Sequence, residues 1–153
     1  MRLSRALMLG LALCWPAVPV TAADPAQDLA AIAAEPKLEK RAKDALSYAR
    51  NALEQATKAY RAGDVAGGER FLKEIQQAVE LAKESLDATG KDPRRRSGPF
   101  KNLEIGTRRL MGELREIEKE MNYDERGVLV AVQKRIEEIN HELVMGIMSK
   151  KKN

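Results

Sequence analysis

Glu138 and His141 stand three residues apart in a segment of helical spacing. Di-iron carboxylate proteins use that step to ligate metal from inside a helical bundle, and they need two such pairs. His141 is the one histidine of the chain, so the second pair is missing. With Ile136, Ile139 and Leu143 facing a core, Glu138 and His141 point to solvent. A second group, Glu113, Glu116, Glu118, Glu120, Asp124 and Glu125, is rich in carboxylates. Acid–base catalysis requires two carboxyls that converge in a cleft with their pKa values pushed apart. On a helix these residues fan around the axis, with Arg115 and Lys119 among them. They read as a solvated face supported by pairs such as Glu104–Arg108 and Glu116–Lys119. No serine sits in a nucleophile-elbow sequence, and no glycine run leads into Lys-Ser or Lys-Thr at phosphate-loop spacing. A haem-attaching Cys-x-x-Cys-His is also absent. The expectation is a protein that is no enzyme and uses neither cofactor nor metal.

The basic residues point to binding instead. Lys91, Arg94, Arg95 and Arg96 lie in a segment that also holds Pro93 and Gly98, and Lys101, Arg108 and Arg115 follow at seven-residue steps. At 100° per residue these three and Lys119 fall within about 40° of one another on a helix. Between Lys91 and Arg115 there are eight basic and three acidic residues. Guanidinium groups beside a helix N-terminus suit carboxylate or phosphate groups, because the forks and the free N–H groups aim at the same anion. The candidate anion- or partner-binding residues are therefore Arg94, Arg95, Arg96, Lys101, Arg108 and Arg115. Their expected partner is an acidic protein, an anionic lipid or an envelope polymer. Nucleic acid fits less well, since no aromatic platform accompanies the basic run. The plainer account is a solvated linker and helix face, screened over about 10 Å at ordinary salt. Ile105 and Gly112 flank the stripe and read as a docking place or as ordinary surface. The alternative function is a carrier or chaperone-like bundle whose Met121, Met145 and Met148 admit apolar cargo.

Choice of partner depends on compartment. Arg2 and Arg5 precede the apolar run Ala6 to Trp15, and Pro16, Pro19 and Val20-Thr21-Ala22 follow it. That is the pattern of a secretory signal cleaved after Ala22, and the run is too short for an ordinary membrane span. The chain is accordingly expected in the bacterial periplasm or outside the cell, with no transmembrane segment after cleavage. Its one cysteine, Cys14, falls inside the signal, so the mature chain holds no disulfide. Residues 24–89 carry 10 basic and 12 acidic groups, and residues 90–153 carry 15 and 11, so the positive charge sits in the second half.

Four apolar stripes alternate steps of four and three. They are Ala42, Leu46, Ala49, Leu53, Ala56, Tyr60; Val65, Gly68, Leu72, Ile75, Val79, Ala82, Leu86; Phe100, Leu103, Thr107, Leu110, Leu114, Ile117, Met121; and Leu129, Val132, Ile136, Ile139, Leu143, Ile147. Each is the seam of an amphipathic helix rather than a strand. The spacing predicts helices at 37–62, 65–89, 99–122 and 124–149, after a lead-in at 23–36 and with a basic linker at 91–98. Each helix is about 37 Å long. Equal rods joined by short turns make an all-α domain over 37–149, an up-down-up-down bundle of antiparallel helices. The alternative is two helical hairpins that complete their cores as a homodimer.

Overall fold

The computed structural model describes residues 25–149. The signal sequence read at 1–22, with Cys14, and Lys150 to Lys152 lie outside them. The described chain is helical: α1 Pro25–Ala33, α2 Leu38–Arg61, α3 Val65–Asp87, α4 Ser97–Glu120 and α5 Arg126–Met148, with a 3₁₀ turn at Tyr123–Glu125. No strand occurs among the described residues.

Helix ends fall within two residues of the predicted bounds, and local chemistry explains the differences. α4 starts at Ser97, which puts Pro99 in the first turn, where backbone N–H groups have no intrahelical partner anyway. Pro36 does not begin α2. Lys37 is the residue before the first turn and makes no side-chain cap; the Glu35 carboxylate accepts from the Lys37 backbone N–H (3.0 Å) and from Lys40 Nζ (2.6 Å). Gly63 adopts φ +77°, a left-handed conformation that ends α2, and the Asp64 carboxylate accepts from Gly67 N–H (2.9 Å) to cap α3. The lead-in is itself partly helical. α1 opens on Pro25 and packs Leu29 and Ile32 against the core.

α2 packs most extensively against α3, and α4 against α5; α3 also packs on α5, and α2 on α4. Long-range ion pairs show which ends meet. Lys91, ahead of α4, reaches Glu39 at the start of α2 (2.5 Å), and Arg61 at the end of α2 reaches Glu120 at the end of α4 (3.2 Å). Arg135 meets Glu80 (2.8 Å), and Lys83 meets Glu142 (3.4 Å). Like ends of α2 and α4 therefore lie together, and so do like ends of α3 and α5.

The centre is aliphatic. Leu72, Ile75 and Val79 of α3, Leu114 of α4, and Leu129 and Ile136 of α5 have no exposed surface. α2 buries more than its predicted stripe, adding Ala45, Tyr48, Ala52 and Ala59, because α1, α3 and α4 all contact it. Two polar links cross the interior. The Tyr48 hydroxyl donates to the Glu74 carboxylate (2.9 Å), and Asn140 Nδ2 donates to Thr107 Oγ1 (2.8 Å) and to the Glu104 carbonyl (2.9 Å). Both satisfy groups whose burial would otherwise cost stability.

Two glycines mark close approaches. A Cβ at Gly106 would lie 2.6 Å from Leu46 Cδ2, and one at Gly68 would lie 2.6 Å from the Tyr60 ring. Gly68→Ala should therefore destabilise the fold by about 1–2 kcal/mol, since overpacking against an aromatic ring outweighs the gain in helix propensity. Urea unfolding measures this, and a more stable variant would show that Tyr60 is free to move. The Tyr60 hydroxyl is buried with no hydrogen-bond partner among the described residues, and burial, reinforced by Glu69 and Glu125, pushes its pKa up to about 12. A phenol that ionises later in the folded chain contributes stability that is complete below pH 10 and is lost as pH rises through about 12. Tyrosinate absorbance should show a late-titrating component that Tyr60→Phe reduces.

Candidate functional site

The six basic residues singled out by the sequence are all exposed, but they are not equivalent. Arg94 is occupied. Its Nε and Nη2 donate to the Asp92 carboxylate (3.1 and 3.0 Å), and its Nη1 donates to the Ser149 carbonyl just past α5 (3.4 Å). A guanidinium there offsets the negative end of the α5 dipole. Arg94 thus fastens the 88–96 turn to α5, and Pro93 lies beside Gly146, 3.6 Å from where that residue would carry a Cβ. Its guanidinium and backbone N–H together hold the Asp92 carboxyl below the usual carboxylate range. Arg95 extends outward with a side chain 78% exposed, 4.0 Å from the same carboxylate. Arg108 pairs with Glu104 (3.5 Å). Arg96, Lys101 and Arg115 make no ion pair among the described residues.

The tertiary structure adds cations that the sequence reading did not select. Where α2 lies along α4, a groove of about 300 Å³ is lined by Lys43, Ser47 and Arg50 from α2 and by Asn102, Ile105 and Arg109 from α4, over Leu46. No carboxylate lines it, and Lys43, Arg50 and Arg109 have no ion-pair partner among the described residues. An adjoining hollow of about 410 Å³ continues the groove past Ala42, Leu86, Pro99 and Leu103 to Glu39 and Lys40. Ile105 forms part of the groove wall, whereas Gly112 faces open space. The available signal was the seven-residue step from Lys43 to Arg50, which repeats the step from Lys101 to Arg108. Nothing in that step says that the two helices are neighbours.

Other candidates stay apart. Glu138 and His141 are both exposed, and Glu138 pairs with Arg135 (3.2 Å). The carboxylate group is dispersed: Glu116 pairs with Lys119 (2.7 Å), Glu120 with Arg61, and Glu118 accepts from Gln133 (3.1 Å). Among the described residues no three His, Cys, Asp or Glu side chains converge as metal ligands. No described helix is long and apolar enough to cross a membrane. The three methionines proposed to form one opening are separated. Met121 is buried at the end of α4, while Met145 and Met148 are exposed at the end of α5, beside the 88–96 turn. Comparison with protein-family models, with curated proteins and with solved structures gave no match.

The Asp92–Arg94 clasp is testable by pH. Asp92 should titrate below an ordinary aspartate in a carbon-detected NMR titration, and Arg94→Ala should return it towards the ordinary value. A carboxyl whose folded pKa is depressed contributes stability above its unfolded value and loses it as pH falls through the folded one. An unchanged Asp92 titration in Arg94→Ala would show that the clasp does not form in solution.

Proposed function

We propose that this chain is a non-enzymatic, exported helical binding or scaffolding protein that recognises an anionic partner through the α2–α4 side of the bundle. In this reading α2–α3 and α4–α5 are antiparallel pairs laid side by side, so the four long helices alternate in direction. Meeting of like ends in α2 and α4 supports that arrangement. One chain supplies all four rods and buries their seams against each other, which favours a bundle closed within a single chain over paired hairpins. The leader pattern at 1–22 supports export to the periplasm or beyond.

One observation carries the binding reading: the three cations that line the groove, Lys43, Arg50 and Arg109, have no ion-pair partner among the described residues. Some described charges pair across helices, as in Arg61–Glu120 between α2 and α4, and Arg135–Glu80 and Lys83–Glu142 between α3 and α5. Along α2 and α4, Lys43, Arg50, Arg96, Lys101, Arg109 and Arg115 do not, and Arg108 spends part of its charge on Glu104. Gathering like charges costs self-repulsion that an approaching anion relieves, and the resulting field also speeds encounter. The groove adds an apolar floor of Leu46 and Ile105 with the Ser47 hydroxyl and Asn102 amide at hand. Such a lining suits an acidic peptide segment or a carboxylate- or phosphate-bearing polymer better than a lone small ion.

Retention on immobilised poly-glutamate at low and high salt tests the reading. The wild type should be retained at low salt and released at high salt. Arg50→Glu with Arg109→Glu should weaken binding about tenfold, roughly 1.4 kcal/mol, without changing the helical circular-dichroism spectrum. Retention that survives both charge reversals would remove the groove from the account.

A further inference from the structure

We infer that the end of the bundle built from the 88–96 turn and the last turn of α5 docks on an anionic lipid surface, with its arginines at the headgroups and Met145 and Met148 entering the interfacial layer. This goes beyond the groove, which lies along the side of the molecule.

The argument begins with exposed apolar surface. The large hydrophobic side chains left exposed among the described residues are Tyr123, Val130, Met145 at 55% and Met148 at 74%. Met145 and Met148 stand three residues apart on one face of α5. They occupy the end that also carries the basic turn. Arg94 reaches the Ser149 carbonyl, and Pro93 abuts Gly146, so the turn and the methionines are held as one surface.

Charge at this end is in surplus. Four carboxylates at this end are held by three cations: Glu39 by Lys91, Asp92 by Arg94, and Asp87 and Glu142 both by Lys83; Arg95 and Arg96 then bring the cations to five. Arg96 has no such partner and Arg95 projects outward, and the sequence continues from Ser149 directly into Lys150-Lys151-Lys152. At the opposite end Glu120 is held by Arg61, and Asp124 and Glu125 share the 3₁₀ turn with the exposed Tyr123. A negative surface attracts the outward-facing arginines of the 88–96 turn.

Cations alone fit any polyanion, and the methionines decide between sources. Unbranched thioether side chains conform to a fluid apolar layer, and arginines beside them keep their charge at the polar boundary while their stems cover apolar surface. Peripheral proteins bind anionic bilayers through that combination of moderate apolar burial and nearby Lys or Arg. A soluble acidic polymer would gain nothing from Met145 and Met148.

The test is co-sedimentation of the protein, in its exported form, with vesicles of phosphatidylglycerol and phosphatidylcholine and with vesicles of phosphatidylcholine alone. Wild type should sediment with the anionic vesicles and only weakly with the neutral ones. Met145→Asp with Met148→Asp should lower the partition at least about tenfold, since the apolar side chains are lost and negative charge is placed at the headgroups. Met145→Ala with Met148→Ala, which spares the fold any new charge, should show a smaller loss. Arg95→Ala with Arg96→Ala should remove the salt-sensitive part of the binding. Arg50→Glu with Arg109→Glu, in the groove, should still bind through the Met-bearing end. Three outcomes would overturn the inference: binding by the aspartate variant equal to wild type, no preference for the anionic vesicles, or sedimentation without vesicles, which marks head-to-tail self-association. Loss of vesicle binding in the groove variant with none in the methionine variants would move the contact to the groove, leaving the proposed function standing and this inference not.

Discussion

Everything in this molecule rests on the burial of aliphatic side chains between helices. With two phenylalanines, three tyrosines and one tryptophan in 153 residues, there is little aromatic mass to anchor a core. The centre is filled by Leu72, Ile75, Leu110, Leu114, Leu129 and Ile136, in one buried cluster with the alanines of α2. Small side chains bring backbones close, and Gly68 under Tyr60 and Gly106 under Leu46 take that to its limit. Such packing leaves little slack, so a core change of even one methyl is felt.

That dependence shapes the surface. Helices committed to a shared apolar centre turn their remaining faces to water, and those faces are dense in charge. Most charges are used in clasps. Glu35 with Lys40 sets the start of α2, Arg126 donates to the Met121 carbonyl (2.9 Å) to close the turn between α4 and α5, and Arg94 fixes the 88–96 turn to the end of α5. Each is exposed or half-exposed, so its value lies in fixing geometry more than in stability. Against that background the unpaired cations along α2 and α4 stand out.

The buried polar links serve a related purpose. Tyr48 with Glu74 links α2 to α3, and Asn140 with Thr107 links α5 to α4. A misaligned register of α2 on α3, or of α4 on α5, would leave a carboxylate or an amide buried without a partner. Penalties of that kind select one alignment among several that are equally greasy.

The sequence by itself determined the helical class, the four long helices to within two residues of their ends, and the side chains that face inward, because a 3.6-residue period and the chemistry of Gly63, Asp64 and Gly90 are local properties. It also placed the heptad-spaced cations Lys101, Arg108 and Arg115 on one face of one helix, where the structure has them exposed. The helix in the lead-in was missed because nine alanine-rich residues carry little period of their own and gain order from contact with α2 and α3. Which helices are neighbours was decided by the tertiary structure alone. Pairing α2 with α4 brought Lys43 and Arg50 opposite Arg109, set Arg94 on the end of α5, and separated Met121 from Met145 and Met148. A seam announces that a helix has an apolar partner and is nearly silent on which one, since leucine and alanine fit against any similar stripe. The choice is made by shape and by charge between residues far apart in the chain.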